Sequence, residues 1–183
     1  IRAATETGQN YCDWLELGLF VSKGLDVEID EETAITQSID CFQKVLELDT
    51  GNIFSMTELA KVYHRRNMLT EVESIYKQIL EKDPESAYVH SKLADLYQSQ
   101  NRFQEAVSEL RQLLEIEPMS GDYHMKIIDI SKEMLAKSQD RDRQLTTLLK
   151  DYQTKAEANP KDTMANFSLG YAFITLGSGF TPT

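Results

Sequence analysis

Residues 84–118 read PESAYVHSKLADLYQSQNRFQEAVSELRQLLEIEP. The stretch opens and closes on proline, and between the two prolines apolar side chains run at helical spacing twice. His90, Leu93, Ala94 and Tyr97 follow i, i+3, i+4, i+7, which predicts one buried face of a first helix. Phe103, Ala106, Val107, Leu110, Leu113 and Leu114 continue the pattern as the face of a second helix. Asn101 lies between them, and Asn tolerates the left-handed conformation in which helices end. Pro118 closes the second helix, and Ser120 is placed to cap the next. The stretch therefore predicts helix, turn, helix.

The same phrase recurs on both sides. Leu80-Glu81-Lys82-Asp83-Pro84 returns as Leu114-Glu115-Ile116-Glu117-Pro118, and again as Ala156-Glu157-Ala158-Asn159-Pro160. The first step, from Pro84 to Pro118, is 34, and the second, from Pro118 to Pro160, is 42. Counting 34 back from Pro84 gives Leu46-Glu47-Leu48-Asp49-Thr50, the phrase without its proline. Leu59 and Leu93, Ala60 and Ala94, Tyr63 and Tyr97, and Asn67 and Asn101 keep the same step of 34. One register shared by so many pairs marks an internal repeat, in which each hairpin buries its apolar face against its neighbours.

These residues resemble the tetratricopeptide repeat. That family's signature is Trp, two residues, Leu-Gly, two residues, Tyr, with an Ala in the second helix and a closing Pro. Trp14-x-x-Leu17-Gly18-x-x-Val21 fits with Val for Tyr. Met56-x-x-Leu59-Ala60-x-x-Tyr63, His90-x-x-Leu93-Ala94-x-x-Tyr97 and Asn166-x-x-Leu169-Gly170-x-x-Phe173 fit as well. Ala106 stands at the second-helix Ala, and Val72 replaces it one repeat earlier. The small residue at Gly18, Ala60, Ala94 or Gly170 lets the two helices of a repeat approach closely. The resemblance implies an all-α fold, a right-handed superhelical array of about four and a half helix-turn-helix repeats. Their bounds are 11–52, 53–86, 87–120, 121–162 and a partial 163–177, with 178–183 as a non-helical tail. By these bounds the first and fourth repeats are each longer than the other two by eight. The surplus falls near Lys23 to Thr36 and near Lys132 to Arg143, as longer helices or a protruding turn. In the fourth repeat Ile127 and Ile128 fill the Leu-Gly places, and Ser131 replaces Tyr.

The resemblance also implies a binding surface. In this family positions 2, 5, 9, 12 and 13 of each first helix line a concave groove. The matching residues are Cys12, Leu15, Leu19, Ser22 and Lys23 in the first repeat, and Phe54, Thr57, Lys61, His64 and Arg65 in the second. The third gives Tyr88, Ser91, Asp95, Gln98 and Ser99, the fourth Asp122, Met125, Asp129, Lys132 and Glu133. The partial fifth gives Met164, Phe167, Tyr171, Ile174 and Thr175. The expected groove is apolar at both ends, with a basic spot at Lys61 and Arg65 and acids beyond it. A partner segment would set apolar anchors against Leu15, Leu19, Phe54 and Tyr88, and an acidic group against Lys61 and Arg65. Chaperone-binding relatives clamp a C-terminal carboxylate with Lys, Asn and Arg. Here those places hold Leu15, Leu19, Glu58, Ser91 and Asp95, so a chaperone tail is not the expected ligand.

Composition narrows the function classes. The 183 residues carry 30 acidic and 19 basic side chains, a formal charge of −11, which argues against tracking phosphates or docking on anionic lipid. Residues 11–52 hold much of that charge, with ten acids against two bases. No apolar run approaches the ~20 residues of a spanning helix, so no membrane insertion is expected. The chain opens on Ile1, as a fragment or processed chain would. The spacing of Cys12 and Cys41 matches no metal motif, and both read as packing residues in a reducing, cytoplasmic setting. His90 and His124 share one repeat position and read as packing between helices. Asp26, Glu28, Asp30, Glu31 and Glu32 lack the Gly and terminal Glu of a calcium loop, so Asp30 reads as a helix cap. No catalytic constellation, cofactor motif or metal site stands out. The expectation is a non-catalytic scaffold or adaptor holding a partner's peptide segment. The alternatives are a regulatory or targeting module of a larger enzyme or assembly, and self-association through the open last repeat, residues 164–176.

Overall fold

The computed structural model describes residues 30–136 and 140–176, together with Leu15, Gly18, Leu19 and Val21. Cys12, Trp14, Leu17, Ser22, Lys23, Asp26, Glu28 and the tail 178–183 lie outside the described residues. Eight α-helices have defined ends among the described residues, and no strand occurs there. They are α1 (Glu31–Leu48), α2 (Ile53–Arg65), α3 (Leu69–Lys82), α4 (Ala87–Ser99), α5 (Phe103–Ile116), α6 (Gly121–Leu135), α7 (Arg141–Ala158) and α8 (Thr163–Leu176). Leu15, Gly18, Leu19 and Val21 are helical too. The chain is an all-α helical repeat array. It divides into two compact units, residues 1–89 and 90–183.

Two kinds of turn recur, and each follows from its residues. Within a repeat, the turns after α2 and α4 pass through Asn67 and Asn101, with φ of 57° and 59°, the only non-glycine residues at positive φ among those described. Met68 N–H donates back to Tyr63 O (3.0 Å) and Arg102 N–H to Tyr97 O (2.9 Å), six-residue closures that satisfy carbonyls left over at a helix end. This conformation strains Asn less than other side chains, which is why Asn recurs there. Between repeats, Asn52 N–H bonds Asp49 O, Ser86 bonds Asp83, Ser120 bonds Glu117 and Asp162 bonds Asn159, at 2.9–3.2 Å. Pro84, Pro118 and Pro160 each occupy the second place of that four-residue turn, where the φ fixed by the proline ring is the one the turn requires.

Helix starts are capped unevenly. Asp30 caps α1 by accepting from Thr33 N–H at 2.9 Å and Thr33 Oγ1 at 2.7 Å. The Thr33 backbone bond, then its hydroxyl, holds this carboxyl below the usual range. Asn52 accepts from Ser55 N–H (2.9 Å), and Asp162 from Met164 and Ala165 N–H (2.9 and 3.0 Å). Ser120 holds the capping place of α6 but its hydroxyl makes no cap bond, contrary to expectation. Its carbonyl alone receives the first helical bond, from His124 at 3.5 Å.

In the amino-terminal unit α1 packs on α2, and α2 on α3. Phe42, Val45, Ala60, Val72 and Ile79 have no exposed area. A Cβ placed on Gly18 would stand 2.9 Å from Phe42 Cε1, so only glycine lets that ring lie against the earlier helix. Tyr63, at the Tyr place of the signature, accepts from Gln43 Nε2 at 3.0 Å and so ties α2 to α1. Arg66 reaches Thr36 Oγ1 (2.6 Å) and Glu32 O (3.2 Å). Residues 31–36 are helical, so of the two expected forms the carboxy-terminal end of the first repeat's surplus takes the longer helix, capped at Asp30. Part of its surplus lengthens the second helix, since α1 has 18 residues where α3 has 14. Cys41 is buried, and burial, with Asp40 beside it, pushes its thiol up to about 11.

In the carboxy-terminal unit the fourth repeat's surplus is also mostly helix. α6 has 15 residues and α7 has 18, against 13 and 14 in α2 and α3. α6 lies close against α5 and α8 but only loosely against α7. Ile128, at the place held by Gly18, Ala60 and Ala94, is fully buried. It sits in a cluster with Leu135, Leu145, Leu149, Ala172 and Leu176. A branched side chain thus stands where the other repeats keep a small one, in the hairpin whose two helices pack only loosely. No described atom lies within 4 Å of a Cβ built on Gly170.

Candidate functional site

The residues expected to line a groove are described one unit at a time. In the amino-terminal unit, Leu15 and Leu19 are half-buried on their helix. Phe54 opens α2 and is 51% exposed, and Tyr88, at the same place one repeat on, is 42% exposed. Tyr88 is not isolated: it hydrogen-bonds Tyr76, whose phenol is raised first by burial and then by Tyr88. Thr57 is half-buried and returns its hydroxyl to Ile53 O (2.8 Å), while His64 is exposed.

The basic spot is occupied from within the chain. Lys61 Nζ lies 2.6 Å from Glu58 Oε1, one turn away on α2, and that bond holds its ammonium above the usual lysine range. Arg65 Nη2 lies 3.1 Å from Glu31 Oε1 on α1. Both cations are largely exposed, so each pair contributes about 1 kcal/mol or less and yields readily to a competing carboxylate. The sequence carries the signal for the first pair in the i, i+3 spacing of Glu58 and Lys61. The second joins residues a full repeat apart, and only the packing of α1 on α2 brings it together.

In the carboxy-terminal unit the expected groove positions form polar rungs between first helices. Asp95 on α4 pairs with Lys126 on α6, and Gln98 Nε2 reaches Glu133 Oε2 at 3.5 Å. Tyr171 Oη on α8 donates to Asp129 at 3.0 and 3.1 Å, which raises the phenol. Ser91 and Met125 are half-buried. Phe167 is partly used inside the unit, its ring resting 3.2 Å from the Cβ position of Gly121. Phe173 and Ile174 stay exposed, Ile174 at 78%.

The two histidines part company. His90 is 6% exposed and its Nδ1 lies 2.7 Å from Glu109 Oε2 on α5. Met56 and Ile75 hold the same two places one repeat earlier, both buried. The third repeat thus replaces an apolar contact by a polar one, a pairing signalled in the sequence by an acid on the inward column of the second helix. We expect Glu109→Ile alone to cost about 1–3 kcal/mol, because it removes the carboxylate that meets a buried imidazole. His90→Met with Glu109→Ile should recover most of that loss. Urea unfolding of the two single variants and the double measures it, and strictly additive losses would refute the coupling. His124 is half-buried and lies with Asp151 along one cavity. Among the described residues no group of three or more His, Cys, Asp or Glu could hold a metal ion, and no helix is long and apolar enough to cross a membrane.

Comparison with known proteins agrees with these repeats. The tetratricopeptide repeat family's profile matches residues 63–127. No curated protein matches the sequence. Among solved structures, a tetratricopeptide repeat protein from Parabacteroides merdae is 16% identical with a TM-score of 0.60, over 89% of this chain and 59% of that one. This chain thus spans little more than half the length of that protein. YrrB, a repeat protein with an unusual peptide-binding site, is 14% identical with a TM-score of 0.56, over 94% and 81%. The first repeat domain of Spaghetti (RPAP3), solved with an HSP90 peptide, is 19% identical with a TM-score of 0.53, over 68% and 95%. At such identities the likeness speaks for the fold alone. Residues 63–127 thus match the tetratricopeptide repeat family, and the chain as a whole shares the helical-repeat fold of tetratricopeptide repeat proteins.

Proposed function

We propose that this chain is a non-catalytic interaction module that holds a peptide segment of a partner protein on its first-helix faces. The observation that carries the reading is the pair Phe54 and Tyr88, two aromatic side chains at the same repeat position, each about half exposed. Lys61 lies on the helix that Phe54 opens, near enough to feel Tyr88 electrostatically. Half-exposed aromatic side chains near the helix that carries Lys61 and Arg65 suit a segment with apolar anchors and one acidic group. YrrB and the RPAP3 domain, which share the fold, are peptide-binding proteins, and that supports the class of ligand. A chaperone tail is not proposed, because the places that would clamp its carboxylate hold Leu15, Leu19, Glu58, Ser91 and Asp95 instead of Lys, Asn and Arg.

Each buried anchor contributes about 1.5–3 kcal/mol, and the exposed ion pair about 1 kcal/mol or less. The test is photo-crosslinking with benzoylphenylalanine at position 54 or 88, against position 78 on α3 as control. Partners should crosslink at the first two positions, and Phe54→Asp should weaken capture at least tenfold. Lys61→Ala should weaken it only modestly and flatten its salt dependence. Crosslinking confined to position 78, with the Phe54→Asp chain folded and binding normally, would reject the reading. A second reading, self-association through α8, is supported by Phe173 and Ile174. It predicts a sedimentation coefficient that rises with concentration and stops rising in Ile174→Glu.

A further inference from the structure

The loosened fourth hairpin opens a trough on a surface that the groove reading does not use. Two cavities of about 670 and 540 Å³ meet along it, sharing Arg111, Ser131, Leu148 and Asp151. One wall is a stripe of α5 running from Gln104 through Val107 and Arg111 to Leu114, with Pro118 in the turn beyond it. The other is a stripe of α7 from Gln144 through Leu148, Asp151 and Lys155 to Ala158. Ile127, Ser131 and Leu135 of α6 form the floor. The α7 wall covers fourteen helical residue steps, so the trough is ~21 Å long at about 1.5 Å per residue. We propose that it is a docking site for one amphipathic helix of a partner protein, about fourteen to sixteen residues long, with an aliphatic face and one acidic side chain set at Arg111.

Three observations choose this occupant. The length matches four helical turns rather than a compact small molecule. The walls are helices whose own backbone groups are satisfied, so an extended segment would find no backbone partners there, whereas a helix brings its hydrogen bonds with it. Ridges spaced three and four residues apart on α5 and α7 leave a valley that accepts a third such ridge. Charge then sets the register. Arg111 makes no ion pair with a described carboxylate, while Asp151 is already taken by Lys155 at 2.8 Å. Midway along the trough a chain of net charge −11 thus presents an uncompensated cation beside the aliphatic Leu114 and Leu148.

The probe is a phage library of helical sixteen-residue peptides with a fixed aliphatic face and varied remaining positions, selected on the full chain. Thr147→Trp, an exposed position on the trough rim, plugs the site, and Arg111→Glu reverses its charge, so neither disturbs the core. Selected peptides should carry a central acid, lose at least tenfold in affinity on each variant, and keep their affinity for Phe54→Asp. Exchanging their acid for Lys should restore binding to Arg111→Glu. Peptides indifferent to both variants, or no enrichment over the Thr147→Trp chain, would overturn the proposal. Laurate binding blocked by Thr147→Trp in place of peptide binding would assign the trough to a small amphiphile. Wild-type dimers abolished by that variant would assign it to a second copy. Either would overturn the partner helix.

Discussion

Phe42→Ala is expected to destabilise the amino-terminal unit by about 3–5 kcal/mol, the range for deleting a fully buried ring. Phe42 has no exposed area, and its ring edge faces the bare Cα of Gly18, where any Cβ would stand 2.9 Å away. Nothing at Gly18 can move in to fill the space, so a cavity remains and the cost stays at the upper end. In a repeat array stability is close to a sum of repeat and neighbour terms. The loss should therefore be local. Amide exchange in α1 should quicken by several orders of magnitude, while α7 and α8 keep their protection. Urea unfolding with exchange read by NMR checks both parts. A loss below about 1 kcal/mol, or an equal loss of protection in α8, would mean that the Phe42 contact does not hold α1 in place.

Ile128→Ala should cost about 2–5 kcal/mol, and its size within that range carries information. If Ile128 holds α6 and α7 apart, the alanine found at positions 60 and 94 lets α7 settle inward and reclaim part of the loss. Ile130→Ala is the control, since Ile130 is equally buried on the same helix but does not stand at the small-residue place. The expected result is a smaller loss for Ile128→Ala than for Ile130→Ala, with α7 displaced toward α6 in a crystal structure of the variant and a narrower trough between α5 and α7. Equal losses with α7 unmoved would refute the wedge. The same shift should weaken any helical peptide selected for the trough, although the variant changes no residue that lines it.

The sequence by itself determined the helices, their turns and their period, because each of these is decided within a few residues. Asn67 and Asn101 end helices through their own tolerance of positive φ, and Pro84, Pro118 and Pro160 place the turns between repeats through a fixed φ. Spacing of apolar residues at three and four did the same for the faces that became core, and it reached Ile128 at a place reserved for small side chains. The regular step of the repeat also put Phe54 and Tyr88 in register. The sequence did not determine which charges were already paired. Arg65 meets Glu31, Tyr171 meets Asp129 and His90 meets Glu109 across 34, 42 and 19 residues, and such meetings depend on how far apart two helices lie and how they are rotated. The trough belongs to the same class. Its residues are ordinary members of three helix faces, and only the separation of α6 from α7 turns them into a cavity. Local conformation is set by a residue and its near neighbours, whereas the distance between helices is set by the volumes of all the side chains packed between them, and that sum exists only in the folded chain.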